Sequence, residues 1–236
     1  DTYASRYIAR RTTTPDSIEI LIAEEEYQQL NTYRNNAIKA GVVLNEHKKY
    51  IKAKTIHNNQ IIDAEIRLKG DNIDHLEANK WSFRVKLGAD RTILGMRKFS
   101  LQNPKSRNFI KEWLYHKVLK IENIIALRYK FVNLTINNQD RGIYALEEHF
   151  DKLLIENNNR REGPIVKFNE DLYWDDFFNP WSMQNKSLHD ARSFNCANIE
   201  VFQVNKTLKN NDLYEQFNIA NSLLCNFKSG KLKTSE

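Results

Sequence analysis

Residues 131–152, FVNLTINNQDRGIYALEEHFDK, constrain the fold more than any other stretch, because they encode a β-hairpin whose second arm runs straight into a cluster of acids. β-Branched and aromatic residues fill both arms, at 131–136 and 142–146. Asn137-Asn138-Gln139-Asp140 stands between them as a turn, since Asn and Asp tolerate the positive φ that tight hairpins demand. The hairpin delivers Glu147, Glu148, His149 and Asp151 to the end of a sheet, and a further strand carrying Lys167 follows. Two readings fit these acids. They can form the polar edge of a ligand site, or Glu147 and Glu148 can open a helix, where carboxylates complement the dipole.

Alternation with period two recurs along the chain and marks more strands. Ile18, Ile20 and Ile22 alternate with Glu19 and Leu21. Residues 50–56 and 61–69 face each other across His57-Asn58-Asn59-Gln60, and in the second arm Ile62, Ala64, Ile66 and Leu68 alternate with Asp63, Glu65, Arg67 and Lys69. Trp81, Phe83, Val85 and Leu87 form an apolar row that leaves Ser82, Arg84 and Lys86 on the opposite face. In the next strand, residues 97–102, Lys98 and Ser100 oppose Phe99 and Leu101. Helical composition marks residues 24–40, stopped by Gly41. It also marks residues 107–121, capped by Asn103 or Ser106 with Ile110, Trp113, Leu114, Val118 and Ile121 on one stripe, and residues 208–227. The expected fold class is therefore α+β: a mainly antiparallel sheet, built from the strands between residues 50 and 168, packed against helix 107–121.

Composition narrows the function classes. A chain of 236 residues, 41% hydrophobic, suits one compact unit with no second domain: an irregular segment at 1–16, a sheet-rich part at 17–168, and a linker, strand and helix at 169–236. Net charge is +6, but 36 basic and 30 acidic residues are interspersed, and neither a basic helix nor an RNA-binding aromatic strand stands out, so no nucleic-acid partner is expected. Cys196 and Cys225 fit no metal-ligand spacing and are either a disulfide pair or two free thiols. The six histidines are scattered, and no metal site is expected. No apolar run reaches transmembrane length. The first residue is Asp, and the last nine, KSGKLKTSE, are polar, so both ends read as cut.

With seven glycines the chain shows neither a Gly-x-Gly-x-x-Gly loop nor a Walker motif, and Gly70 in Lys69-Gly70-Asp71-Asn72 reads as a turn or as a close approach of backbone to phosphate. One constellation resembles phosphate handling. A lysine on a strand, Lys98 or Lys86, precedes a helix bearing Glu112, the order in which protein kinases fix the lysine that holds nucleotide phosphates. Arg84 shares a strand face with Lys86. The plainer reading makes these ordinary solvated side chains. Trp174 and Trp181, with Asp175 and Asp176 between them, form an aromatic, acidic loop that either clamps a ligand or closes a core edge.

The segments AEIRLKGDN (64–72), NKWSFRVKL (79–87), RKFSLQNPKSRN (97–108) and the hairpin through Asp151-Lys152, in this order, resemble the CotH family, the spore coat protein H kinases. The resemblance implies an atypical protein-kinase-like N-lobe, Mg²⁺ and ATP as cofactors, and a Ser/Thr-bearing protein of the secreted or envelope class as phosphoacceptor. It implies cofactor-binding roles for Lys86, Lys98, Glu112, Arg84, Glu147 and Lys167. It also implies secretion or attachment to the cell envelope. The family's catalytic aspartate and metal-binding segment would fall downstream of Glu236, so the chain as given is expected to bind nucleotide weakly and transfer no phosphate. The rival class is a non-catalytic surface, adhesion or carbohydrate-binding module on the same scaffold, using Trp174 and Trp181.

Overall fold

A computed structural model describes residues 15–88, 90–172 and 197–233. The described chain divides into two compact units: residues up to His149 with Leu153–Asn158, and Phe150–Lys152 with the residues from Asn159 onward.

The first unit is a closed barrel of seven strands: β1 (Asp16–Leu21), β2 (Ile51–His57), β3 (Gln60–Leu68), β4 (Phe83–Leu87), β5 (Lys98–Gln102), β6 (Tyr129–Ile136) and β7 (Gln139–Glu148). The order around it is β1-β2-β3-β4-β5-β7-β6. Neighbours are antiparallel except at the seam, where β1 runs parallel to β6 with Ile18 opposite Leu134. The expected mainly antiparallel sheet packed on helix 107–121, in the manner of a kinase N-lobe, is thus corrected to a closed, mixed barrel. The physical reason lies in the apolar rows. Ile18, Ile20, Ile62, Ile66, Phe83, Val85, Phe99, Leu101, Val132, Leu134, Tyr144 and Leu146 form one buried cluster, so the sheet satisfies its apolar face by closing on itself.

Both tight hairpins use left-handed asparagine pairs. Asn58 and Asn59 have φ of 49° and 61°, and Asn137 and Asn138 have 47° and 63°. The expected four-residue loops contract to these two-residue turns, whose twist matches that of the flanking strands. A bulge between Leu134 and Thr135 is accommodated at Gly142, φ 72°, whose N–H donates to Asp140 Oδ1 at 2.7 Å. Asn137 has a second task. Its Oδ1 accepts from Ile22 N–H at 2.8 Å and its Nδ2 donates to Ile22 O at 2.9 Å, which fastens the hairpin tip to the end of β1.

Helix α1 (Glu24–Ala40) starts with three acids, ends on Gly41 at φ 71°, and sends Leu30 and Ala37 into the core. Its Tyr27 stacks on Trp81 at 5.9 Å. Helix α2 (Lys111–Ile121) follows a 3₁₀ turn at Pro104–Arg107, capped by Asn103 Oδ1. No residue of α2 is buried, and Ile110, Leu114, Val118 and Ile121 of the expected core stripe are 47–79% exposed. Glu112 and His116, by contrast, are partly withdrawn from water. A short helix α3 (Lys152–Asn157) follows β7.

The second unit pairs β8 (Val166–Phe168) with β9 (Ile199–Val201) and continues into α4 (Val204–Leu208) and α5 (Asn211–Lys228). Asn210 caps α5, whose only buried residue is Leu213. Lys167 belongs to this unit, ion-paired to Glu200 at 2.5 Å. Trp174, Asp175, Asp176, Trp181 and Cys196 lie outside the described residues.

Candidate functional site: a buried charge cluster on the barrel

Strand alternation creates the site. While one face of β3, β4, β5 and β7 supplies the core, register aligns Arg67, Arg84, Ser100, Glu147 and Tyr129 as a row across the opposite face. Glu65, Lys86 and Lys98 form the adjoining row. On the other side Lys69 leaves the end of β3, its N–H bonded to Ser82 O at 2.9 Å. Such a face is ordinarily wet. Here Ser100, Gln102 and Glu147 are buried, and only 11% of the Lys69 side chain and 10% of the Glu147 side chain are exposed.

Glu147 is the hub. Its Oε2 sits 3.1 Å from Lys69 Nζ and accepts a hydrogen bond from Gln102 Nε2. Gln102 Oε1 accepts from Lys69 Nζ at 2.9 Å and from Arg107 Nε at 3.2 Å, which locks the lysine and the arginine around one amide. Burial pushes the Glu147 carboxyl up, but Lys69, Arg84 and Arg107 outweigh it and hold the group below its ordinary value. Burial lowers the Lys69 ammonium, and Arg84 and Arg107 lower it further against the pull of Glu147. Glu112 Oε2 lies 3.3 Å from Arg107 Nε, and burial followed by repulsion from Glu147 raises its pKa. Lys69, Arg84 and Arg107 thus surround one firmly ionised carboxylate and a second that resists ionisation. The local balance favours an incoming anion.

Histidines edge the cluster. Arg84 Nη1 and His149 Nδ1 are 2.7 Å apart, so the ring nitrogen is the acceptor and the imidazole is neutral. Burial, then Arg84, Lys98, Arg67 and Lys69, pull His149 down to about 3. Buried polar atoms without a hydrogen-bond partner gather on this face: Arg84 Nε, Ser100 Oγ, Tyr129 OH and both ring nitrogens of His116. Such orphans are uncommon in a folded interior.

The expected site residues separate accordingly. Arg84, Glu147 and Glu112 converge. Lys98 occupies the adjoining row, close enough to depress His149, and its side chain has no hydrogen bond or ion pair among the described residues. Lys86 instead pairs with Glu65 at 2.6 Å on an exposed surface, and both line a cavity of about 1100 Å³, alongside Ile22, Ala53, Ala64 and Leu87. Glu112 therefore takes an arginine as its partner, and the lysine it senses is Lys69. Lys167 is in the second unit.

Sequence reasoning missed Lys69, Gln102 and Arg107. The available signal was the row parity of Lys69 with Arg67, which put both on the polar face of β3. Gly70, φ 105°, has a packing reason: a Cβ there would meet His75 Cδ2 at 2.2 Å. Bringing the imidazole so close to the strand end lets His75 Nδ1 bond Ser82 Oγ at 3.0 Å.

A buried lysine fixed by a glutamate, with two arginines alongside, is an arrangement suited to phosphate. Residues 66–223 match the family of CotH kinase proteins, and the chain belongs to that family. The match begins within β3 and spans every strand contributing to the charge cluster. No curated protein matches the chain.

Proposed function

We propose that the chain serves a CotH-type protein kinase by holding nucleotide phosphates at the Lys69–Glu147 cluster, with ATP as phosphate donor and Ser or Thr of a secreted or envelope protein as acceptor. The observation that carries this reading is the buried Lys69–Glu147 pair at 3.1 Å with Arg84 and Arg107 around it. Glu147 orients the ammonium and keeps it charged. Lys69 and Arg107, already tied through Gln102, neutralise phosphate without large reorganisation. The unpartnered Ser100 hydroxyl and Arg84 Nε supply further donors.

ATP chemistry of this kind uses Mg²⁺ to neutralise charge building on the phosphates. Among the described residues no three His, Cys, Asp or Glu side chains converge as a ligand set, and Glu147 is engaged by Lys69 and Gln102. No metal role is assigned to these residues. The family relationship and this cluster favour phosphate transfer over a purely adhesive role.

Calorimetric titration of ATP, with and without Mg²⁺, tests the reading. Lys69→Met should weaken binding at least tenfold, and Lys86→Ala should leave it unchanged. Absence of nucleotide binding, or equal affinity in Lys69→Met and the unaltered chain, would overturn the proposal.

A further inference from the structure

A second polar pocket of about 250 Å³ opens beside α2, lined by that helix, by residues 126–130 entering β6, and by Asn157 and Asn158. Four of its lining residues are cations, Lys117, Lys120, Arg128 and Lys130, and no Asp or Glu lines it. Two of the four have partners outside the lining: Arg128 pairs with Glu148, and Lys130 Nζ lies 3.6 Å from Asp16. Lys117 and Lys120 are exposed, and Lys117 Nζ is held 5.3 Å above the Trp113 ring.

Two further lining residues, His116 and Tyr129, stack at 5.5 Å. Their ring nitrogens and hydroxyl are buried without any hydrogen-bond partner. The separation of His116 Nε2 from Glu112 Oε1, 4.0 Å, is too long for a hydrogen bond. Burial lowers the His116 pKa, so the ring is neutral and offers one donor and one acceptor. The wall opposite is rigid, because Asn158 bonds Ala126 N–H at 3.1 Å, Ala126 O at 3.2 Å and Leu154 O at 2.8 Å.

We infer that this pocket binds a phosphomonoester, with Lys117 and Lys120 compensating the dianion and the Tyr129 hydroxyl and a His116 ring N–H donating to its oxygens. The excess of cations selects an anion. The partnerless donors select a group with several acceptor oxygens, and the volume admits a phosphorylated side chain or a small free phosphate ester rather than a whole nucleotide. The pocket adjoins the Lys69–Glu147 cluster at Tyr129, but none of Lys69, Arg84, Arg107 and Glu147 lines it, and the inference does not depend on the kinase reading.

The experiment titrates inorganic phosphate, O-phosphoserine, and a short peptide with and without one phosphoserine into the full chain, followed by calorimetry and His116 ring NMR shifts. Phosphate-bearing probes should bind and shift the His116 ring, and the unphosphorylated peptide should not. Tighter binding of the phosphopeptide than of phosphate identifies a protein-borne ligand, and parity identifies a free one. Lys117→Ala with Lys120→Ala should weaken binding at least tenfold, whereas Lys86→Ala, in its exposed pair with Glu65, should not. Tyr129→Phe should weaken binding while leaving thermal stability unchanged or higher, since it removes a hydroxyl that has no partner. The inference fails if no phosphate probe binds, if the double lysine variant binds normally, or if Tyr129→Phe lowers stability without touching affinity.

Discussion

Lys69 and Glu147 form an ion pair at 3.1 Å although β4 and β5 lie between their strands in the barrel. The pair is asymmetric. Glu147 also answers Arg84 and Arg107, while among the described residues Lys69 has no other carboxylate bonded to it.

Glu147→Gln should therefore cost more stability than Lys69→Met. Removing the carboxylate leaves buried cations facing one another, at about 3–5 kcal/mol. Removing the lysine leaves Glu147 with two arginines and the Gln102 amide. Urea unfolding of both variants gives the comparison, and an equal or reversed cost would contradict the assignment of Glu147 as hub.

Acid should destabilise the first unit well above the carboxylate range. Burial brings His75 down to about 4 and His149 to about 3. Unfolded imidazoles take up protons below about pH 6.5, whereas these stay neutral in the fold, so stability falls as pH drops from about 6.5 toward 4. The slope is on the order of 1 kcal/mol per pH unit for each histidine. Glu147 adds its loss at lower pH, because stability from a depressed carboxyl disappears only as pH falls through its folded value. Melting temperatures between pH 7 and 4.5 should show the decline, and His149→Gln should flatten it. A flat profile in the unaltered chain would refute this account.

Asn137→Ala should loosen the barrel seam. It deletes both side-chain bonds to Ile22 and places a Cβ residue without a local hydrogen bond at φ 47°, for a combined loss of about 1–3 kcal/mol. Asn137→Gly removes the bonds without the strain and should cost less. Amide exchange at Ile22 should accelerate in both variants, and unchanged protection there would rule out the clasp.

Ile66→Ala, at a fully buried core position, should cost about 2–5 kcal/mol, against ~0–1 kcal/mol for Lys86→Ala in its exposed pair with Glu65. Chemical denaturation measures both. A large effect at Lys86 would mean that its surface pair does more than the structure indicates.

The strands were legible because alternation is local: Trp81 to Leu87 and Ile62 to Leu68 place their apolar rows as the sequence suggests. Closure was not, because nothing near Ile18 announces a partner at Leu134. Helix α2 misled for a related reason. Its most apolar stripe reads as a core face, but the barrel had already consumed its own apolar surface and offered α2 a charged row instead, so Glu112 and His116 turn inward. The sequence suggested Lys86 or Lys98 paired with Glu112, yet Lys69 holds a different glutamate, Glu147, because both meet the Gln102 amide beside the end of β3.

The parallel seam bears on where this protein can be cut. The family match starts at residue 66, inside β3, so a fragment trimmed to 66–223 would discard β1, α1, β2 and all of β3 but its last three residues. Two raw sheet edges, along β3 and β6, would then lie open with the apolar lining between them, a surface prone to pairing with other chains. The unit of homology is narrower than the unit that folds, and expression boundaries for this chain belong before Asp16.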